Sequence, residues 1–343
     1  MRPMRDGKLD RENILKRIIL LGVFVMAFGC RTTGPSASTS SSASGSASGS
    51  ASGAPSSPPE TFASDGSSPS PSPSASTSTD LVARRPYQLT IPTNDGGPLP
   101  LVILIHGYGS SGEGHESYFG GLARITKGRE IILAVPNGTY DHKRMLFWNA
   151  SEACCDFDKL PVDDVAYLDA IVEDVAKKAP LDRTRVYALG HSNGAFMAHR
   201  WACERPNEVA AIVALAGVPW SDAARCTGHD VSVLQVHGDA DKVIDYAGGK
   251  SFGNGEPYPS AESAVAAWAA RDGCGQTRHS SGAALDFDGA VPGPETTREA
   301  YDCPKGLAVE LWRMRGSSHV PRFDTRFASA ALDFLLAHHA ERR

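Results

Sequence analysis

Residues 188–200 read ALGHSNGAFMAHR. Ser192 stands midway between Gly190 and Gly194 in the pattern G-x-S-x-G. The apolar run 185–189 before it predicts a buried strand, and the residues after it predict a helix. Between a strand and a helix, such a serine lies on a sharp turn with its hydroxyl exposed above the sheet. The stretch therefore predicts a nucleophile elbow.

The sequence around this elbow alternates short apolar runs with amphipathic segments. The predicted strands are 101–105, 131–135, 185–189, 209–217, 231–238 and 307–314. The predicted helices are 163–178, which Asp163 or Asp164 caps, 196–204, 260–273 and 323–339. Buried strands that alternate with helices predict an α/β fold with a mostly parallel sheet and helices on both faces.

Partners for Ser192 occur in the chain order serine, acid, histidine, which is typical of elbow-containing hydrolases. A neutral serine is a poor nucleophile, so it needs a base, and the base needs an acceptor that fixes its tautomer. His319 follows the last predicted strand and is the candidate base. Asp241 follows the strand that begins at 231 and is the candidate acid, with Asp239 as the alternative.

Acyl transfer also needs hydrogen-bond donors for the negative charge that develops on the carbonyl oxygen. The first amide of the predicted helix belongs to Asn193, which directly follows the serine. The second donor is expected from the glycine-rich loop after strand 101–105, where we select the amide of Tyr108. Asn193 and Tyr108 are thus the predicted oxyanion donors.

A metal site is the competing interpretation of one segment. His237, Asp239 and Asp241 form the pattern H-x-D-x-D, whose side chains can bind a metal ion. A metallohydrolase would need further ligands elsewhere and would leave the elbow at Ser192 unexplained. We therefore predict no metal and no cofactor.

The first 80 residues differ in composition from the rest. Residues 1–29 combine a basic-leaning start with the apolar run 18–29, which is short for a membrane span and fits a signal peptide. Cys30 follows in a setting that resembles the lipobox of bacterial lipoproteins, so lipidation there is expected. Residues 30–80 are rich in Ser, Ala, Gly and Pro and predict a flexible tether. The folded domain is expected over 81–343, exported and either membrane-anchored through Cys30 or extracellular.

The net charge and the cysteine content indicate which partners and which covalent links to expect. The chain of 343 residues has a formal net charge of −5 and no run of basic residues, so nucleic acid is an unsuitable partner. An even number of cysteines in an exported domain predicts disulfides. Six cysteines allow 15 pairings, which the sequence leaves open. They are Cys154, Cys155, Cys203, Cys226, Cys274 and Cys303.

Taken together, the motifs resemble the secreted esterases of the polyhydroxybutyrate depolymerase and feruloyl esterase group, which are α/β-hydrolases. The motifs that carry this resemblance are LVILIHGYGSSG (101–112), WNASEACC (148–155), DDVAYL (163–168), GHSNGAFMAHRWACE (190–204), VLQVHGDADKVIDY (233–246) and GSSHVP (316–321). They span nearly the whole predicted domain. The family usually has a Trp after its catalytic histidine, where this chain has Val320.

The resemblance implies a role for each candidate residue. These are Ser192 as nucleophile, Asp241 as acid, His319 as base, the amides of Tyr108 and Asn193 as oxyanion donors, and a disulfide between Cys274 and Cys303. The implied activity is hydrolysis of carboxylic esters through an acyl-enzyme, on feruloyl or acetyl esters of plant polysaccharide. A polyhydroxybutyrate depolymerase is the alternative, and a lipase or peptidase with the same triad also stays open. A non-catalytic, surface-anchored binding lipoprotein is the alternative of another class.

Overall fold

The computed structural model describes residues 78–250 and 256–340. The predicted signal peptide, Cys30 and the tether up to residue 77 lie outside the described residues. The first described helix begins at Ser78, three residues before the expected start of the domain at 81. Within the described ranges, none of the helices has the length and apolar character needed to cross a membrane.

Thirteen strands and seven α-helices make up the described part of the chain. The strands are β1 (Gln88–Thr90), β2 (Leu99–Ile105), β3 (Ile132–Val135), β4 (Thr139–Tyr140), β5 (Leu146–Phe147), β6 (Leu181–His191), β7 (Ala211–Leu215), β8 (Ser232–Gly238), β9 (Gly249–Lys250), β10 (Pro257–Tyr258), β11 (Arg278–Ser280), β12 (Thr296–Tyr301) and β13 (Val309–Met314). The helices are α1 (Ser78–Arg84), α2 (Gly112–Tyr118), α3 (Leu122–Lys127), α4 (Asp164–Lys178), α5 (Asn193–Glu204), α6 (Ala261–Arg271) and α7 (Thr325–Leu336). A short 3₁₀ turn covers Ala223–Arg225.

Nine of the strands form one sheet in the order β1-β3-β2-β6-β7-β8-β13-β12-β11. Neighbours from β3 through β13 are parallel, whereas β1, β12 and β11 add antiparallel strands at the two edges. The mostly parallel α/β fold that the sequence predicted is confirmed.

The central strands are buried on both faces, which explains their continuous apolar runs. In β2, Leu101 and Ile103 face one hydrophobic core, and Val102 and Leu104 face the other. Helices α4, α5 and α6 contribute their apolar residues to the first core, and α7 contributes to the second. Helices therefore cover both faces of the sheet.

Each of the six predicted strands and four predicted helices is present, with shifted ends. The largest shift is in β6, which begins at Leu181: Leu181 pairs with Leu99 of β2, and the polar, half-buried residues 182–184 continue the strand beyond the apolar run from which it was predicted. Asp163 caps α4 through a hydrogen bond from the amide of Ala166. Asp164 is instead fully buried, where its carboxylate accepts hydrogen bonds from Arg85 and from the amide of Asn149.

The topology gathers the predicted reactive residues at one edge of the sheet. Ser192 directly follows β6, Asp241 follows β8, and His319 follows β13. These three strands are parallel members of one sheet, so their carboxyl ends meet at the same edge. Ligand sites of parallel α/β sheets lie at this edge.

Candidate active site

Ser192 occupies a strained backbone conformation between β6 and α5. Its φ of 55° and ψ of −123° are unfavourable for a residue with a side chain. A Cβ atom at Gly190 would collide with the carbonyl of Gly194, and one at Gly194 would collide with the carbonyl of Ile105. Both glycines of the motif are therefore required by close packing, and the turn presents the serine hydroxyl at the carboxyl edge.

The three predicted reactive side chains are in contact. His319 Nε2 lies 2.9 Å from Ser192 Oγ, and His319 Nδ1 lies 2.7 Å from Asp241 Oδ2. An ionised carboxylate only accepts hydrogen bonds, so Nδ1 of the imidazole carries the proton. The neutral ring then accepts the serine hydroxyl proton at Nε2. This arrangement can activate the serine for acyl transfer.

Asp241 is fully buried, and its carboxylate is held by several donors. Oδ1 accepts hydrogen bonds from the amides of Val243, at 2.8 Å, and Ile244, at 3.0 Å. Burial alone would raise the pKa of this carboxyl, but hydrogen bonds from His237 and His319 hold the pKa of Asp241 well below its usual range. Asp241 is therefore ionised wherever the protein is folded at ordinary pH.

Asp239, the alternative acid, has different partners. Its carboxylate pairs with Arg313 at 2.9 Å and accepts a hydrogen bond from the amide of Gly316. His237 donates from Nε2 to the carbonyl of Ile244 at 2.8 Å. His237 Nε2 also lies 3.5 Å from Asp241 Oδ2, whereas Asp239 pairs with Arg313. Residues 78–250 and 256–340 contain no group of three metal-ligating side chains.

The amides of Asn193 and Tyr108 both belong to segments that surround the serine. Asn193 is the first residue of α5, where a backbone amide has no acceptor within the helix. Its side chain exchanges two hydrogen bonds with the backbone of Trp148, which fixes the start of the helix. Tyr108 donates its hydroxyl proton to Asp141 at 2.6 Å, and Gly107 packs against Ser192. Their role as oxyanion donors stays a prediction.

His191 and His115 form a buried chain of contacts that sequence reasoning missed. His191 Nε2 lies 2.9 Å from the carbonyl oxygen of His319, and a carbonyl only accepts, so Nε2 carries a proton. The other ring nitrogen, Nδ1, lies 2.9 Å from His115 Nε2, and His115 Nδ1 lies 2.9 Å from Ser110 Oγ. Burial lowers the pKa of His115 to about 3 and that of His191 well below its usual range.

Both histidines are therefore neutral at ordinary pH, and they link the loop that follows β2 to the loop that carries the candidate base. The sequence offered one signal for this link, since His191 is the variable residue directly before the serine in G-x-S-x-G. His115 lies 76 residues before it in the chain, so the contact depends on tertiary structure.

The two tryptophans near the site have separate environments. Trp148 is fully buried, and its indole nitrogen donates to the carbonyl of His106 at 3.0 Å. Trp220 is half-buried and lines a surface cleft together with Ser151 and Arg225. Trp148 therefore belongs to the core, whereas Trp220 faces a space that a ligand can enter.

All six cysteines of the predicted domain are paired. Cys274 is bonded to Cys303, the pairing that the family resemblance implied. The pairing of the other four, which the sequence left open, is Cys154 with Cys155 and Cys203 with Cys226.

The chain is similar in sequence to known esterases. Residues 89–255 match the family model described as Phospholipase/Carboxylesterase. A protein of Nocardia uniformis subsp. tsuyamanensis that carries an esterase name, NocK, is 29% identical over 256 residues, which cover 70% of this chain and 72% of the relative. A protein of Aspergillus oryzae named "Probable feruloyl esterase C" is 30% identical over 202 residues, covering 56% of this chain and 64% of the relative. The chain thus spans slightly less than two thirds of this fungal relative.

Among solved structures, an acetyl xylan esterase from Aspergillus awamori matches with a TM-score of 0.49 and 15% sequence identity. The match covers 72% of this chain and 93% of the acetyl xylan esterase.

Proposed function

We propose that this chain, a serine esterase with the α/β-hydrolase fold, hydrolyses feruloyl or acetyl esters carried by plant polysaccharides through an acyl-enzyme. The observation that carries the proposal is the unbroken series of contacts from Ser192 Oγ through His319 to Asp241. The names of the fungal relatives support the feruloyl group as the acyl part of the substrate.

In the first half of the reaction, Ser192 Oγ attacks the ester carbonyl carbon while His319 Nε2 takes the hydroxyl proton. The carbonyl oxygen becomes negatively charged and accepts hydrogen bonds from the amides of Tyr108 and Asn193. His319 then gives its proton to the departing alcohol oxygen, and the acyl group stays on the serine. Asp241 stabilises the imidazolium that exists between these two proton transfers.

In the second half, water replaces the alcohol. His319 takes a proton from the water molecule, whose oxygen attacks the acyl carbon. The same amides hold the oxyanion, and the proton on His319 returns to Ser192 Oγ as the carboxylic acid leaves. The reaction consumes one ester and one water and yields one acid and one alcohol. This chemistry can be completed by side chains and backbone amides of the chain itself.

We also infer that the enzyme acts outside the cytoplasm on the end of a tether. The apolar run 18–29 and the Cys30 that follows support export and lipidation, and the composition of residues 30–80 supports a flexible spacer. An enzyme held at a surface in this way is suited to polymeric substrates that cannot enter the cell.

The proposal is tested by initial rates on one panel of esters. The panel contains methyl ferulate, p-nitrophenyl acetate, butyrate and palmitate, and a hydroxybutyrate oligomer. Each is measured with the wild type and with Ser192→Ala, which removes the nucleophile. Methyl ferulate is intrinsically less reactive than the p-nitrophenyl esters. We nevertheless expect a Ser192-dependent rate on methyl ferulate that is higher than this difference in reactivity alone would allow. A fluorophosphonate probe should label the wild type and leave the variant unlabelled.

Other results would contradict the proposal in distinct ways. Preference for the hydroxybutyrate oligomer would indicate a depolymerase, and preference for the palmitate ester would indicate a lipase. Failure of the probe to label the wild type, together with no Ser192-dependent rate on any ester, would favour the non-catalytic binding protein.

A further inference from the structure

We propose that the cleft lined by Ser151, Trp220 and Arg225, here called the Trp220 cleft, binds neutral sugar units of the polysaccharide that carries the scissile ester. This inference rests on the proposed function, because it assigns the alcohol side of the same substrate. The cleft has a volume of about 550 Å³ and adjoins a second cavity of about 390 Å³. Trp220 and Arg225 line both cavities, and both volumes are within the range of about 300–1,000 Å³ typical of ligand sites.

The walls of the Trp220 cleft belong to segments that contact the elbow. One wall contains Ser151, which forms a backbone bridge with Cys154. The carbonyl of Cys154 accepts a hydrogen bond from the Asn193 side chain at 3.4 Å. A second wall contains Trp220, three residues after Gly217. A Cβ atom at Gly217 would collide with the carbonyl of Ser192. Two walls of the cleft are therefore joined to the elbow segment, although Ser192 and His319 are not among the residues that line it.

A third wall is formed by Arg200 of α5, the helix that begins directly after the nucleophile. Its guanidinium donates to the carbonyl of Asn149 at 2.6 Å and to Glu204 at 2.8 Å. The residues that line the cleft are thus attached to the same strand-turn-helix unit as Ser192. Their positions relative to the serine are fixed by backbone contacts and by this helix.

Two buried polar atoms in the Trp220 cleft have no hydrogen-bond partner within the described part of the chain. They are the indole Nε1 of Trp220 and Oγ of Ser151. Ser151 as a whole is only 8% exposed. Buried polar atoms in native proteins are almost always hydrogen-bonded, to protein, water or ligand. The indole can donate to a hydroxyl oxygen, and the serine can both donate and accept. Both residues line the cleft, but the two atoms have almost no accessible surface, so a sugar hydroxyl can pair with them only after a small movement of the side chains around them.

The charges in the Trp220 cleft favour a neutral ligand. Its lining includes four acidic and three basic side chains: Glu152, Asp156, Glu204 and Glu256, and Lys159, Arg200 and Arg225. Arg225 and Glu152 form a two-pronged pair at 2.6 and 3.0 Å, so their charges largely cancel. Paired carboxylates and guanidinium groups still offer strong acceptors and donors to sugar hydroxyls.

The Trp220 ring adds a flat apolar surface in this polar cleft. The guanidinium of Arg225 lies 4.9 Å from the ring centroid and holds the indole by a cation–π contact. A sugar ring has a face lined by C–H groups and an edge that carries hydroxyl groups. The apolar surface of the Trp220 ring suits the face, and the hydrogen-bonding groups around it suit the edge. The combination points to a neutral glycan rather than to a charged polymer or a fatty acyl chain.

The test compares an ester with sugar and an ester without it. For the wild type and Trp220→Ala, kcat/KM is measured on a feruloylated arabino-xylo-oligosaccharide and on methyl ferulate. We expect the variant to lower kcat/KM on the sugar ester about tenfold more than on methyl ferulate, mainly through KM. Trp220→Phe, which keeps a ring and removes the N–H group, should give an intermediate loss.

Tyr301→Ala is the matched control. Tyr301 is an aromatic residue with an arginine over its ring, Arg278 at 5.9 Å from the ring centroid, and it also lines a surface cavity. It lies at the end of β12 that pairs with the amino end of β13, so it is at the opposite edge of the sheet from His319. We expect this variant to have the same ratio of the two rates as the wild type. Equal losses on both substrates in Trp220→Ala, or no loss on either, would overturn the subsite.

A binding measurement separates this proposal from the esterase proposal. An ester-free xylo-oligosaccharide is titrated by calorimetry into Ser192→Ala, which cannot turn over. Binding that Trp220→Ala abolishes in this background would support the subsite even if the panel of esters showed no feruloyl activity. Absence of binding in a protein that hydrolyses methyl ferulate would overturn the subsite and leave the feruloyl activity in place.

Discussion

Replacing Asp241 by Asn should trap the candidate base in the wrong tautomer. Oδ1 of Asp241 accepts two backbone amides, from Val243 and Ile244. An Asn side chain therefore keeps its carbonyl oxygen there, because the reverse orientation would leave buried amides unsatisfied at about 1–3 kcal/mol each. Its NH₂ group then faces His319 Nδ1, which must accept, so the ring proton moves to Nε2 opposite Ser192.

The expected loss follows from this geometry. A histidine with its proton on Nε2 cannot take the proton of Ser192, and a wrong tautomer in such a triad costs about 10⁴ in kcat. At about 1.4 kcal/mol for each factor of ten, this equals roughly 5 kcal/mol of transition-state stabilisation. KM should stay within about threefold, since Asp241 is fully buried and its carboxylate is occupied by protein donors. The retained backbone bonds should keep the melting temperature close to that of the wild type.

The assay is steady-state hydrolysis of p-nitrophenyl acetate, with kcat and KM determined separately, beside a thermal unfolding scan. Asp239→Asn is the matched control. Its carboxylate pairs with the exposed Arg313, so the variant should lose at most about 1 kcal/mol of stability and keep kcat within about threefold. An Asp241→Asn enzyme that keeps more than about a tenth of the wild-type kcat would refute the tautomer argument. A large loss of kcat in Asp239→Asn but not in Asp241→Asn would identify Asp239 as the acid.

Three further outcomes are expected. His191→Leu removes the hydrogen bond to the carbonyl of His319, whose net contribution is about 0.5–1.5 kcal/mol. The kcat on p-nitrophenyl acetate should therefore fall roughly 2- to 10-fold with little change in KM. An unchanged kcat would exclude a positioning role for His191. Burial raises the pKa of Asp272 to about 7, so its stabilising effect is complete below about pH 4 and lost as pH rises through 7. In denaturant titrations, Asp272→Asn should therefore gain stability relative to wild type by up to about 4 kcal/mol between pH 4 and pH 8, and a constant difference would contradict the raised pKa. The Cys274–Cys303 disulfide closes a segment of sequence separation 29, so the double Ser variant should lose about 3–4 kcal/mol of unfolding free energy, and equal stability would contradict the pairing.

Local sequence was sufficient for six strands of the central sheet, for four of the helices and for the elbow. The continuous apolar run of β2 and the helical spacing of α4 are properties of neighbouring residues, so they could be recognised without knowledge of the rest of the chain. The elbow at Ser192 needs small residues at both flanking positions, and this requirement is also written in the sequence. The antiparallel strands β11 and β12 escaped prediction, because half-exposed strands have weaker apolar patterns. The short strands β1, β4, β5, β9 and β10 and the helices α1, α2 and α3 also escaped it.

Where the sequence offered two equivalent candidates for one role, only the tertiary structure distinguished them. Asp239 and Asp241 are two residues apart in the same loop, and only the backbone amides around Asp241 and the position of His319 separate their roles. The Cys203–Cys226 disulfide and the contact of His115 with His191 likewise join residues distant in sequence.

Sequence patterns alone were enough to predict the α/β class, the elbow serine and the chain order of its candidate partners, because strand periodicity, helix periodicity and turn sterics act over a few residues. The structure decided that Trp148 is core and Trp220 lines a cleft, although both are tryptophans near motifs of the site. It also decided which side chains meet at the carboxyl edge. Those outcomes depend on which strands become neighbours in the sheet, and that choice is made by the packing of the whole domain.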